Sequence, residues 1–371
     1  MDASKELRVL HTGFFRSAPR GVVKQLDWET TSAETIGSHW DTEFWFAQAP
    51  PAGTGVRRLP VRSRLLCEIW FARWLWQQHG KYDVVLLRYP AAAPGVAVSA
   101  RFSKNVVLQH HSQEWTEILT STRRLRKYAK LFIEGLARLL WRKAVLAIVG
   151  VTPEIAKDNA WRSVSGQHRA YPNGIVCPTK GQESDSRDPE TVHLLFMAAE
   201  FQLWHGLDVL LDHARDTQCR RVTVHIVGRV PPKYNEMMRR KAKKNGQVRC
   251  HGFLTGSELG RMISRCDMAI DSLALERLGM TEGSTLKTRE YLALGIPVVS
   301  RHVDPAFPAD FPFYQYSQDV DFDKWYDLAM DGKKVRRSEV VDAARPYIDK
   351  RVLMEDLTRW LLHVSSEHWE R

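Results

Sequence analysis

The chain has 371 residues, 44% of them hydrophobic, and a net charge of +11, which points to a soluble globular protein of two domains of roughly 150–200 residues each. No apolar run reaches the ~20 residues of a spanning helix. The opening MDASKELRVLHTGFF lacks the regions of a secretory leader, so a cytoplasmic protein is expected. Cys67, Cys177, Cys219, Cys250 and Cys266 are scattered without a CxxC, which argues against a disulfide framework or a structural zinc. Residues 1–150 hold 22 Lys/Arg against 12 Asp/Glu, and residues 151–371 hold 32 against 31. The first half therefore attracts anions, with nucleic acid, anionic lipid and phosphorylated substrates as the candidates.

In chain order, LRVLHTG (7–13) reads as a first strand ending in glycine, followed by apolar runs at 82–90, 105–111 and 144–152. Helical stretches at 61–79 and 121–143 lie between them. Strands alternating with helices predict a parallel sheet covered on both faces. The segment 171–192 breaks the rhythm with Pro, Gly, Ser and charges and reads as a linker. The rhythm then resumes, with strands at 193–199, 222–228, 248–253, 267–273 and 297–300 and helices at 206–216, 232–246, 257–266 and 282–295. The fold class is α/β, two doubly wound Rossmann-like domains whose strand ends face a central cleft, where such sheets bind ligands.

The most informative stretch is TEGSTLKTREYLALGIPVVS (281–300). A helix over 282–295, stopped by Gly295, places Glu282, Gly283, Ser284 and Thr285 at its N-terminus. Such a terminus offers N–H groups and a positive dipole end to an anion. Ser284 and Thr285 add hydroxyls, Lys287 adds a charge, and a diphosphate would fit. Glu282 could accept bonds from sugar hydroxyls. Glu290, about 80° past two full turns, could reach ribose hydroxyls. Taken alone, two glutamates on a helix more often mark a solvated face.

This stretch resembles the Glu-x7-Glu motif of retaining GT-B glycosyltransferases of the family-4 type. YPNGI (171–175), WHGLDVLLD (204–212), HIVGRVP (225–231) and LKTREYLALGIPVV (286–299) match further family segments in family order. The resemblance implies transfer of a sugar from a nucleotide diphosphate sugar to an acceptor hydroxyl, with no cofactor and no catalytic cation. Domains are expected at 1–172 (acceptor side), 173–345 (nucleotide sugar) and 346–371, a helix crossing back to the first domain with Trp360 and Leu361 buried. Where the family carries a basic pair, this chain has Ala199 or Glu200, and His205. The diphosphate is therefore expected on Lys287, Arg229 and backbone N–H groups. His205 either meets the phosphate or caps its helix. Gly21, in the loop after the first strand, is expected to approach the ligand closely, and His110 or His111 to stand near the acceptor, although a lone histidine is as often structural.

On the helix 122–143, Arg123, Arg126, Lys127, Lys130, Arg138 and Arg142 fall within about 160° of each other. Leu125, Tyr128, Phe132, Leu136, Leu139 and Leu140 fill the opposite side. The plain reading is a core-packed helix with a solvated basic face. The functional reading is charge docking on an anionic membrane through Arg123, Arg126, Lys127 and Lys130, which would place the protein on the inner face of a membrane and suit a lipid-linked sugar acceptor. No nucleic-acid-binding motif is visible. The expected function is glycosyl transfer in polysaccharide or glycolipid assembly. The alternatives are a catalytically decayed membrane-surface partner and a sugar-nucleotide epimerase or hydrolase.

Overall fold

The computed structural model describes residues 6–16, 20–36, 39–48, 55–120, 124–178, 190–214, 221–234, 236–238 and 248–369. They form two compact units: 1–176 with 349–371, and 177–348. The boundaries expected at 172/173 and 345/346 fall a few residues earlier. Cys219 and Arg123 lie outside the described residues, as do most of the stretch 232–246 and much of the linker.

Unit 1 carries seven parallel strands: β1 (Arg8–Phe15), β2 (His39–Phe46), β3 (Val56–Arg58), β4 (Val84–Arg88), β5 (Val106–His110), β6 (Ala147–Gly150) and β7 (His168–Ala170). Their spatial order is β3-β2-β1-β4-β5-β6-β7. The central strands are near-continuous apolar runs because both faces are covered. Helices Arg64–Gln77, Pro94–Ser103 and Arg124–Trp141 pack on one face, around Phe71, Val85, Leu87, Val96 and Trp141. The other face meets the last helix, Lys350–Trp369, through Val9, Val84, Leu86, Met354, Leu357 and Leu361. Leu361 is buried and Trp360 half-buried. Trp40 Nε1 donates to Thr358 Oγ1 at 3.2 Å, and Lys350 N donates to Ile175 O at 2.8 Å.

One helix is turned over relative to expectation. On Arg124–Trp141 the inward arc is Glu134, Ala137 and Trp141, all buried. The buried Glu134 carboxylate accepts from Tyr89 Oη and from Ala92 N, each at 2.6 Å. The apolar side expected in the core faces out: Tyr128 is 67% exposed, Phe132 78%, Leu136 47% and Leu139 70%. Arg138, assigned to the solvated face, instead packs over the rings of Trp115 and Trp161, 5.2 and 5.4 Å from their centroids. Lys127 is half-buried and Lys130 exposed, while the side chains of Leu125 and Arg126 lie outside the described residues.

Unit 2 carries six parallel strands: β8 (Val192–Glu200), β9 (Val222–Arg229), β10 (Val248–Cys250), β11 (Met268–Ile270), β12 (Val298–Ser300) and β13 (Tyr314–Tyr316), in the order β10-β9-β8-β11-β12-β13. The winding reverses between β8 and β11. In open α/β sheets, ligands bind outside the carboxyl ends of the strands at such a point.

Candidate functional site

The chain leaves β8 through a 3₁₀ turn, Leu203–His205, before the helix Leu207–His213. Gly206 joins them at φ +72°, and a Cβ there would sit 2.8 Å from Leu273 Cβ. Glycine is required on both counts. Leu273 N donates to His205 O at 3.0 Å and Ala274 N to Trp204 O at 3.2 Å, so the turn is fastened to the segment following β11. His205 Nδ1 accepts from Gln202 N at 2.9 Å. Capping is thus one of its roles, and it fixes the tautomer with the proton on Nε2. Burial, and then the charge on Lys287, bring the His205 pKa down to about 3. The ring is a neutral donor at neutral pH.

The centre of the cluster is a residue that sequence reasoning missed. Asp271 lies just past β11 and is wholly buried. Its Oδ1 lies 3.2 Å from Lys287 Nζ and accepts from Ser272 N at 2.7 Å. Its Oδ2 accepts from Thr288 Oγ1 at 2.6 Å and from the Thr285 hydroxyl, and lies 3.6 Å from His302 Nε2. Burial alone would raise its pKa, but Lys287, His302 and the two threonines hold it well below the usual carboxylate range. Lys287 also donates to Ser272 Oγ at 3.2 Å, and burial lowers its pKa against the opposing pull of Asp271. Asp271 and Ser272 take two of its three N–H groups, and Nζ lies 5.7 Å from the centroid of the Phe196 ring.

This arrangement changes the geometry expected at 283–285. The helix runs Leu286–Ala293, with Thr285 as its N-cap accepting from Thr288 N. Residues 281–283 are extended against Val303: Gly283 N donates to Val303 O at 2.9 Å, and Val303 N to Thr281 O at 3.3 Å. The Gly283 N–H and the Thr285 hydroxyl therefore have protein acceptors. Asp271 accepts from the two threonine hydroxyls at the helix start. Gly283 has a packing reason to be glycine, because a Cβ would lie 2.5 Å from His302 Cδ2. Glu282 forms a bridge with Val303 and stands outside the helix, so the two-turn spacing to Glu290 is not a helix face. Ser284 is buried, and Glu290 is half-buried and near enough to Lys287 to favour its charged form. Arg229 is exposed at the end of β9, two strand positions from β11.

In unit 1, His110 is buried and stacks on Tyr89 at 4.4 Å, with Nδ1 3.1 Å from Glu114 Oε1. Burial lowers its pKa despite Glu114. The buried Nε2 atoms of His110 and His111 meet no hydrogen-bond partner among the described residues. Burial, then the charges on Arg88 and Lys350, push His111 well below the usual imidazole range. Nearby, His11 Nδ1 lies 2.7 Å from Glu29 Oε1, and Lys350 Nζ lies 3.9 Å from Glu29 Oε2. Burial opposes ionisation of Glu29, but His11 and Lys350 prevail and hold it at about 2. Gly21 does not lie in a loop. It is the second residue of the helix Arg20–Ala33, and a Cβ there would meet nothing within 4 Å.

Asp271 could have been suspected from an acid at the carboxyl end of an apolar strand, DMAIDSL. The buried Glu29 left no such trace.

Residues 192–310 match the family model described as Glycosyl transferases group 1. That span contains the 203–206 turn, Asp271 and residues 282–290. No curated protein matches the sequence significantly. Solved structures similar to the chain include the lipopolysaccharide outer core galactosyltransferase WaaB in its apo form, 11% identical over 96% of this chain and 99% of that one, TM-score 0.59. A sucrose-phosphate synthase from Thermosynechococcus elongatus is 15% identical over 96% and 100%, TM-score 0.60. Anabaena HepE in complex with UDP-glucose is 12% identical over 95% and 99%, TM-score 0.57. The fold is that of the GT-B glycosyltransferases.

Proposed function

We propose that this GT-B chain is a retaining, metal-independent glycosyltransferase that takes its sugar from a nucleotide diphosphate sugar. The observation that supports this best is a coincidence of position. The group 1 match covers the stretch that gathers His205, Asp271 and Lys287 near the carboxyl ends of β8 and β11. HepE, a structural neighbour, was solved with UDP-glucose.

In this reading Lys287 offers its third N–H, and His205 its Nε2–H, to the phosphate oxygens. Both do most where negative charge grows, on the diphosphate departing from the anomeric carbon. Asp271 keeps Lys287 protonated and aimed. Glu290 binds the ribose hydroxyls and Glu282 the sugar hydroxyls. Arg229 adds a charge from β9. The acceptor hydroxyl attacks from the face the diphosphate leaves, and a phosphate oxygen takes its proton. In unit 1, His111 is better suited than His110 to meet an acceptor, because His110 is committed to Glu114 and Tyr89.

The test is a thermal-shift screen against a panel of nucleotide sugars, followed by product analysis with and without acceptors. Stabilisation by one donor, and transfer that Lys287→Ala lowers far more than it lowers stability, is the expected result. Product formed without an acceptor would favour the epimerase or hydrolase. No donor binding at all would favour a decayed transferase.

A further inference from the structure

The helices Arg64–Gln77, Pro94–Ser103 and Arg124–Trp141 lie side by side on unit 1. Their outer surface is apolar. Tyr128, Phe132, Leu136 and Leu139 recur every three or four residues on one helix. Trp76 and Phe102, both exposed, meet edge to face at 5.9 Å across the other two. A patch spanning three helices is more than the scattered apolar side chains of an ordinary surface.

The charges on these helices decide what covers it. Their only carboxylates, Glu68 and Glu134, are buried and accept from Gly95 N and from Tyr89 and Ala92. The described charges left outside are positive, among them Arg73, Arg101 and Lys130, with Arg142 just past the last helix. A second copy of this chain would set like charges against like, which disfavours it. We infer that this face inserts shallowly into an anionic lipid bilayer, with its apolar side chains among the acyl chains and its basic side chains at the headgroups. No helix among the described residues is long and apolar enough to cross a membrane. This differs from docking by charge alone, because the apolar residues do the holding.

The experiment is co-sedimentation with phosphatidylglycerol/phosphatidylcholine vesicles at 0.1 and 1 M salt, using wild type and Phe132→Ser/Leu139→Ser. Both sites are exposed, so the variant should fold as wild type does, with an unchanged circular dichroism melt. Wild type should remain partly bound in high salt, and the variant should bind about ten-fold more weakly or worse. Complete release of wild type at 1 M salt, equal binding by the variant, or a wild-type dimer that the variant dissociates would each overturn the inference.

A separate observation concerns the amino-terminal edge of the same sheet. Arg16, Ala47, Gln48, Arg58 and Arg62 line a pocket of about 450 Å³ at the carboxyl ends of β1, β2 and β3. Its walls are joined by Ala47 N to Phe15 O at 2.9 Å and Gln48 N to Arg16 O at 3.2 Å. Among the described residues no carboxylate pairs with these three guanidiniums. Neighbouring Arg57, by contrast, faces Glu43 at 3.6 Å. Three guanidinium side chains lining one pocket suit a phosphate or diphosphate ester, and the geometry points to a phosphate-bearing ligand here. That this ligand is the sugar acceptor rests on the proposed transferase activity; its binding does not.

Calorimetry with inorganic pyrophosphate and with geranyl diphosphate tests it. In a Lys287→Ala background, which removes the proposed donor-site contact, Arg58→Ala/Arg62→Ala should weaken binding at least ten-fold. Affinity untouched by the arginine substitutions in that background, or no binding left before they are made, refutes the site. Tighter binding of the prenyl ester would identify a lipid-borne phosphate, and equal binding a free one.

Discussion

Replacing Asp271 with alanine tests the core of the proposed donor site. The substitution removes a wholly buried carboxylate that faces Lys287 at 3.2 Å and accepts from Thr285, Thr288 and Ser272 N. Lys287 would be left charged and unpaired, with 15% of its side chain exposed. Breaking a buried pair from one side costs about 3–5 kcal/mol. For a unit the size of 177–348, each kcal/mol lowers Tm by about 2–4 °C, so a fall of roughly 6–20 °C is expected. Adding Lys287→Met removes the orphaned charge and should restore at least half of the loss, because deleting both members of a buried pair is often nearly neutral. Urea titration of the two single variants and the double variant, followed by tryptophan fluorescence and circular dichroism, supplies the cycle. A single variant within 1 kcal/mol of wild type, or strictly additive losses, would show that Asp271 does not hold Lys287.

Glu290→Ala should weaken nucleotide-sugar binding by about 1.5–3 kcal/mol, the worth of hydrogen bonds to a charged group, and unchanged affinity by calorimetry would remove Glu290 from the site. Gly206→Ala forces a side chain into φ +72° and against Leu273; a loss above about 1 kcal/mol in urea titration is expected, and a smaller one would mean the turn is not fixed there. Acid should act through His225 in unit 2 and through Glu29 in unit 1 in different windows. Burial, with His193 and His251 on either side, lowers His225 to about 3, so the unfolded ring takes up a proton below its ordinary 6.5 while the folded one does not. Unit 2 therefore loses stability as pH falls from about 6.5 towards 3. Glu29 is held at about 2, so its contribution to unit 1 is complete above its ordinary 4.5 and is lost as pH falls from there towards 2. Urea midpoints at pH 7, 5 and 4 check both, and His225→Phe and Glu29→Gln should each flatten only its own window.

The central strands were legible because a strand buried on both faces leaves a run such as VVLLR. β2 escaped because Asp41, Thr42 and Glu43 interrupt it, and β3, β7 and β13 are three-residue strands at sheet edges. Residues 282–290 were singled out from the sequence, but their geometry was not readable from it. The bridge from Glu282 to Val303 joins segments twenty residues apart, and the carboxylate accepting from the hydroxyls at the helix start comes from β11. On the helix Arg124–Trp141, periodicity separated apolar from basic residues without saying which side faces the sheet. A small alanine, a tryptophan and a glutamate with two donors made the inward arc instead.

Unit 1 is discontinuous in the chain, and this sets an order on synthesis. Its sheet can form once residue 176 has been made, but the face against Met354, Leu357 and Leu361 stays uncovered until the stretch after 349 follows. Glu29 and Tyr171 likewise wait for Lys350, whose ammonium lies 3.9 Å from one and 3.2 Å from the other. All of unit 2 is translated in that interval. A nascent chain therefore carries an open apolar sheet face for the time needed to add more than 170 residues, roughly 10–35 s at ordinary elongation rates. During that interval it is a natural client for a ribosome-associated chaperone.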